Sequence, residues 1–78
     1  NEGCVIDGEV NNSVLFSNVE IKENASVSNS VILSNVVINE GVKVNNAVIT
    51  ENMNITENIG DKNSTSVFLV SQDGIEEE

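Results

Sequence analysis

The chain has 78 residues, 38% of them hydrophobic, and its 13 acidic side chains against three lysines give a net charge of −10. It contains two phenylalanines and one cysteine, and it has no Trp, Tyr, Pro, His or Arg. This composition argues against a compact globule with an aromatic core and against binding of nucleic acid or an anionic membrane. It also argues against most catalysis, because the commonest general base and the bidentate anion clamps are missing.

The compartment is indicated by two features. A single cysteine permits no intrachain disulfide, so nothing points to an oxidising environment. No apolar run is long enough for a secretory signal or a membrane span. We therefore expect a cytoplasmic protein whose partners include neither nucleic acid nor a membrane. Because the first residue is Asn, we also expect the chain to be a piece of a longer protein.

An internal repeat of seventeen residues organises the chain into lines that cover residues 4–20, 21–37, 38–54 and 55–71. Each line splits into units of six, five and six residues, and each unit opens with a residue that is aliphatic in most lines. The first openers are Cys4, Ile21, Ile38 and Ile55. The second are Val10, Val27, Val44 and Asp61. The third are Leu15, Ile32, Ile49 and Ser66.

Each unit is predicted to be a short strand whose opener points inward, followed by a corner of Asn, Asp or Gly, which tolerate left-handed backbone angles. The corner residues are Asp7, Asn24, Gly41 and Asn58, then Asn12, Asn29, Asn46 and Asn63, then Asn18, Asn35 and Asn52. Three strands and three corners per line describe a coil of a triangular parallel β-helix, stacked at roughly 4.8 Å per coil. Disorder and α-helix explain this register less well, because neither places aliphatic residues at intervals of six, five and six.

The ends of the solenoid are expected to differ. Because Asp61 and Ser66 break the aliphatic columns, the stack should end there, with 67–70 as a last edge strand and Phe68 and Leu69 over the open end. We predict a β-helix domain over residues 1–71 and a solvated acidic tail over 72–78, whose charge discourages strand addition. The first coil, beginning at Cys4, should need another coil or domain to cover it.

The pattern resembles the left-handed β-helices of hexapeptide-repeat proteins. The run Gly-Cys-x-Ile-x-Gly and then Asn-Ser-Val-Leu-Phe in residues 3–16 is similar to the carboxyl-terminal domain of the glucose-1-phosphate adenylyltransferase family of glycogen biosynthesis. That family includes catalytic ADP-glucose pyrophosphorylases and related non-catalytic subunits. The resemblance implies an all-β, single-stranded left-handed parallel β-helix of about four coils.

The same resemblance implies a domain with a structural, oligomerising and regulatory role and no chemistry of its own. Its partners would be the parent's amino-terminal catalytic domain and neighbouring subunits of a homo- or heterotetramer. The family's nucleotidyltransferase domain, with its Gly-rich loop and metal-binding acids, has no counterpart in this chain. No catalytic, cofactor-binding or metal site is therefore expected. An effector site would have to rely on Lys22, Lys43 or Lys62 against the net negative charge, and we expect no strong one.

A hexapeptide-repeat acyltransferase is the alternative function. Such sites resemble ones that need a His as general base or zinc ligand, and the chain has none. Cys4 has no candidate base and is better interpreted as a buried structural thiol than as a nucleophile. Glu51 and Glu57 are better interpreted as solvated corner acids than as a metal site.

One apolar surface is the candidate binding site. If the strand at residues 13–16 points Ser13 and Leu15 inward, five apolar side chains share one outer face: Val14, Phe16, Val31, Leu33 and Val48. Contiguous exposed apolar area of this kind marks a contact with another domain or subunit. A bulge that turns the valines into the core is an equally weighted alternative, because a five-residue unit must distort somewhere.

Overall fold

The computed structural model describes residues 3–60, 63 and 66–77, and these residues form short strands, turns, bends and irregular segments, with no helix among them. Among them no helix could span a membrane. In chain order the strands are β1 Val5–Ile6, β2 Glu9–Asn11, β3 Val14–Leu15, β4 Glu20–Ile21, β5 Ser26–Ser28, β6 Val31–Ile32, β7 Val37–Ile38, β8 Lys43–Asn45, β9 Ala47–Ile49, β10 Asn54–Ile55, β11 Phe68–Ser71 and β12 Gly74–Glu77.

The strands build three sheets that form the sides of a triangular prism. Sheet A has the order β1-β4-β7-β10, sheet B has the order β2-β5-β8, and sheet C has the order β12-β11-β9-β6-β3. Every pairing is parallel except that of β11 with β12. Successive visits to one side come from successive coils, numbered one to four along the chain. The predicted left-handed parallel β-helix of about four coils is confirmed.

The core is a column of aliphatic side chains inside the prism. Strands of coils two and three alternate, so that β5 and β9 each bury every second side chain. The largest side chains with no exposed surface all belong to these two coils and the corner before them: Ile21, Ile32, Ile38, Ile49, Val19, Val27, Val36 and Val44. Burying each contributes roughly 1.5–3 kcal/mol, which explains how a chain with two aromatic residues fills its interior.

Asparagine makes the corners, as predicted. Seven corner residues have φ between 50° and 65°: Asn12, Asn18, Asn24, Asn29, Asn35, Asn46 and Asn52. Several corner amides also join one coil to the coil before it; the Asn29 amide donates to the Asn11 carbonyl over 3.0 Å. The corner thus adopts the left-handed conformation at low cost and takes part in the stacking.

The seventeen-residue register holds between coils two and three on all three sides. Ile21 pairs with Ile38, and Val27 pairs with Val44. On sheet C, Val31 pairs with Val48. The predicted columns are therefore correct in the middle of the prism.

The prediction that Cys4 opens the first coil is wrong. Ile6 pairs with Ile21, and the Val5 amide donates to the Val19 carbonyl, so Cys4 lies beside Val19 instead. The corner between sheets A and B has two residues fewer in coil one than in coil two, which moves every earlier residue by two positions.

The fourth coil departs from the predicted columns in the same way. Ile59 bridges to Val44 and takes the inward place expected for Asp61, which itself lies outside the described residues. On sheet C, Val70 rather than Ser66 continues the column by pairing with Ile49. The shorter corner between sheets A and B accounts for the shift at Ile59, and a longer connection to β11 accounts for the shift at Val70. The core therefore continues on sheets B and C of coil four, where the sequence predicts that it fails.

The carboxyl-terminal segment forms a strand rather than an unpaired tail. β12 pairs antiparallel with β11 and matches Leu69 with Glu76 and Val70 with Ile75. All four of its residues are exposed, as expected for a solvated acidic segment. The prediction that Val67 to Val70 is the edge of the sheet is wrong, because β12 occupies that edge; the division at residue 71 stays a prediction.

Candidate functional site

The outer surface of sheet C carries the predicted apolar residues. Val14 pairs with Val31, and Val31 pairs with Val48, so the three valines form one column across the strands. Their neighbours Leu15 and Ile32 are buried, whereas Val14 is 53% exposed. The valines therefore point outward, and the alternative of an inward bulge is wrong.

A second column lies beside the valines. Phe16 is 47% exposed, and Leu33 is half-buried at the equivalent position of the next coil. Their backbones continue the ladder, because the Phe16 amide donates to the Ile32 carbonyl and the Leu33 amide donates to the Ile49 carbonyl, each over 2.9 Å. All five predicted residues thus share one surface, which we call the sheet C face.

The sheet C face extends further than the sequence predicts. Leu69 pairs with Val48 and adds a fourth aliphatic residue to the valine column. Beyond it Glu76 pairs with Leu69, so the column ends in a carboxylate. The face is apolar at coil one and acidic at β12. Sequence reasoning missed Leu69 because the longer connection before β11 moves it out of the seventeen-residue register.

Inward-facing serines set the turn into sheet C. The Ser13 hydroxyl donates to the Asn11 carbonyl over 2.8 Å and accepts from the Ser30 amide over 3.1 Å. The Ser30 hydroxyl repeats this arrangement, donating to the Ser28 carbonyl over 2.8 Å and accepting from the Ala47 amide over 3.1 Å. Each hydroxyl satisfies an amide of the next coil inside the corner. These hydrogen bonds hold the serine side chain inward, so the valine that follows it in the strand points outward.

Cys4 is a partly buried thiol at the first coil. It packs against the core, and its Sγ donates to the Phe16 carbonyl oxygen over 3.0 Å. The chain has no His that could act as its base. These contacts fit the structural role predicted for it better than that of a nucleophile.

The charged side chains are dispersed. Glu51 and Glu57 are both exposed at corners, as predicted, and within the described ranges no three His, Cys, Asp or Glu side chains come close enough to hold a metal ion. On sheet B, Glu9, Ser26 and Lys43 occupy equivalent positions of successive strands and line a polar depression. One lysine with a glutamate in the same depression concentrates no positive charge; Lys62 lies outside the described residues.

The two ends of the prism have different surfaces. At coil one, Val5 is 51% exposed and Ile6 is 44% exposed. At coil four, a cavity of about 200 Å³ opens among the inward side chains of the last coil and β12. Its apolar lining comes from Met53, Ile55, Ile59, Val70 and Ile75.

Comparison with protein families gives one finding. The model of the family described as GlmU-like, C-terminal hexapeptide, matches residues 1–76. The chain belongs to this family. Comparison with curated proteins and with solved structures gives no match. Membership in the GlmU-like hexapeptide family agrees with the stacked parallel strands and the asparagine corners of the fold.

Proposed function

We propose that this GlmU-like hexapeptide domain supports the fold and the subunit contacts of a cytoplasmic nucleotidyltransferase and performs no chemistry itself. By the resemblance of residues 3–16, the parent would be a glucose-1-phosphate adenylyltransferase of glycogen biosynthesis or its non-catalytic subunit. The parent reaction would join glucose 1-phosphate and ATP to give ADP-glucose and pyrophosphate. The sheet C face is the observation that carries this proposal.

The sheet C face has the character of an interface. It presents aliphatic side chains on adjacent strands with Phe16 at its rim, and its backbone is fixed by the parallel ladder. Exposed apolar surface that is contiguous and held rigid gains the most from being covered, because little conformational freedom is lost on binding. The partner is the amino-terminal catalytic domain of the parent or a neighbouring subunit.

The absence of chemistry is supported by the side chains available. Acyl transfer in the manner of hexapeptide-repeat acyltransferases needs a general base, and the chain contains no His. Cys4, the only thiol, is hydrogen-bonded to a backbone carbonyl. Any regulatory role would then act through the covered interface rather than through an effector site on Lys22 or Lys43.

The proposal is tested on the protein that contains this chain. The double variant Val31→Ser and Leu33→Ser removes the centre of the sheet C face, and we expect its solution mass, measured by sedimentation, to fall to that of smaller assemblies. The matched control is Ser26→Thr with Ser28→Thr, which changes two outward positions on β5 of the same coil and should leave the mass unchanged.

Two outcomes would overturn the proposal. One is a Val31→Ser, Leu33→Ser protein with unchanged mass and unchanged unfolding midpoint. The other is catalytic acyl-CoA-dependent acyl transfer by the isolated chain, because it would place chemistry within the β-helix. Adenylyltransferase activity of the parent is measured separately, so the identity of the reaction and the role of the face are decided independently.

A further inference from the structure

The sheet C face changes character along the axis of the prism. Its first column contains one residue from each strand in turn, namely Val14, Val31, Val48, Leu69 and Glu76. Neighbouring strands lie about 4.8 Å apart, so the β12 end of this column lies roughly 19 Å from Val14. The column is aliphatic over four strands and carries a carboxylate on the fifth.

The second column of the face changes in the same direction. It begins with Phe16 and Leu33 and continues with Thr50, which occupies the equivalent position of coil three. Ser71 follows, because the Thr50 amide donates to the Val70 carbonyl over 3.0 Å and so continues the parallel ladder. Both columns therefore lose apolar surface toward β12.

Glu76 points to the outside of the prism. Its neighbour Ile75 pairs with the buried Val70 and lines the cavity of coil four, and successive side chains of a strand face opposite ways. The lysines that the structure describes belong to other sides, since Lys22 follows β4 of sheet A and Lys43 lies in β8 of sheet B. No lysine of the described residues therefore balances the charge of Glu76 on this face.

A second copy of the same face does not complement these columns. Two identical faces pack about a two-fold axis, which either brings equal residues together or reverses one column against the other. In the first arrangement Glu76 opposes Glu76, and like charges repel. In the second, centred on Val48, Glu76 opposes Val14 and loses hydration without gaining a partner. An offset that avoids this contact leaves Leu69 uncovered.

We propose that the sheet C face docks on a different protein surface, one that presents aliphatic side chains opposite coils one and two and a lysine or arginine opposite Glu76. This inference rests on the proposed function, because it takes the face to be an interface. A charged contact at one end of an apolar surface sets the direction in which the partner lies along the prism, whereas aliphatic side chains alone leave both directions open.

The test changes one charge in the full-length protein that contains this chain. Glu76→Gln removes the charge and keeps the size of the side chain, and Glu76→Lys reverses the charge. Sedimentation measures the concentration at half-assembly, and thermal unfolding measures a midpoint that also reports a partner within the same chain. We expect Glu76→Gln to weaken assembly about threefold or to lower the midpoint, and Glu76→Lys to do so about tenfold or to lower it further.

The matched control is Glu77→Lys, which makes the same change in charge on the same strand. Glu77 pairs with Phe68, whose side chain packs against the core, so Glu77 faces away from the sheet C face. This variant should leave both the half-assembly concentration and the midpoint unchanged.

Three results contradict the inference. Glu76→Gln leaves both quantities unchanged, Glu77→Lys acts as strongly as Glu76→Lys, or Glu76→Gln tightens assembly, which is the result expected if the partner is a second sheet C face. If Val31→Ser with Leu33→Ser lowers the mass while Glu76→Gln has no effect, the proposed function stands and only the charged contact fails. If the serine variant is unchanged in mass and midpoint, the interface itself fails.

Discussion

The middle coils and the end coils differ at one corner. In coils two and three, four residues join sheet A to sheet B, and each corner closes on itself: the Ala25 amide donates to the Lys22 carbonyl and the Val42 amide donates to the Asn39 carbonyl, each over 3.1 Å. In coils one and four the same corner has two residues fewer. Coils one and four therefore differ from coils two and three at this corner.

The difference shows what stacking on both sides requires. Coils two and three each pair with a coil on both sides and keep the full corner. Within this chain, coil one pairs with one other coil and has the shorter corner, and its Ile6 is 44% exposed. Stability should accordingly be concentrated in coils two and three, as in other repeat proteins whose units rely on their neighbours.

The strongest test of this contrast compares two isoleucines of the same column. Ile38→Ala in coil three removes a fully buried side chain and leaves a cavity between two coils, so we expect a loss of about 3–4 kcal/mol in the free energy of unfolding. Ile6→Ala in coil one removes a half-exposed side chain and should cost about 1 kcal/mol. Urea unfolding followed by circular dichroism measures both, and equal losses would show that the end coil is as tightly packed as the middle.

A smaller effect separates the short corner from the full corner. A Cβ added at Gly8 would overlap the carbonyl oxygen of Ala25 and lie 2.7 Å from that of Lys22, so Gly8→Ala must shift backbone and should cost about 2 kcal/mol. Gly41, at the full corner of coil three, has open space around its Cβ position but a φ of +75°. Gly41→Ala should therefore cost about 1 kcal/mol from backbone strain alone.

The matched control for this pair is Gly41→Asn, since Asn24 already adopts the left-handed conformation at the same corner of coil two. That variant should recover most of the loss seen with Gly41→Ala, while Gly8→Asn should be at least as damaging as Gly8→Ala. If Asn restores the free energy of unfolding equally at both positions, steric contact with the Ala25 carbonyl does not explain why position 8 is glycine.

Much of the fold can be predicted from the sequence, because the seventeen-residue repeat is regular in coils two and three, where the strands pair in a constant register. Asn18 and Asn35 mark their corners by chemistry that only a few residue types share, and Ile21 and Ile38 occupy equal positions in neighbouring lines. A fixed seventeen-residue spacing does not predict the register of coils one and four, because their first corner is two residues shorter. The seventeen-residue spacing aligns Asp61 with Val44, whereas in the structure Ile59 forms the bridge to Val44. The sequence alone does not reveal this two-residue shift.

The candidate site was predicted in part for the same reason. Val14, Val31 and Val48 obey the seventeen-residue spacing, but the spacing leaves their direction open. The hydroxyls of Ser13 and Ser30 accept hydrogen bonds from amides of the next coil and so fix that direction. The sequence misplaces Leu69 over the open end, because Leu69 follows the irregular connection and instead pairs with Val48. β12 carries no alternation that would distinguish a strand from a charged tail. A serine or alanine immediately before each outward valine was the signal available in the sequence.

The smallest expected effect concerns the other short corner. The first corner of coil four is two residues shorter than that of coil three. There the Lys43 amide donates its hydrogen bond to Oδ1 of the Asn58 side chain over 2.9 Å. Asn58→Ala should cost about 0.5–1 kcal/mol, because the site is exposed and water can take over part of the role. Asn58→Asp keeps an oxygen acceptor and should cost less, so the free energy of unfolding should rank the original chain, then Asp, then Ala. If Ala and Asp prove equivalent, the side chain does not substitute for backbone, and the short corner of coil four is held by the Ile59 bridge alone.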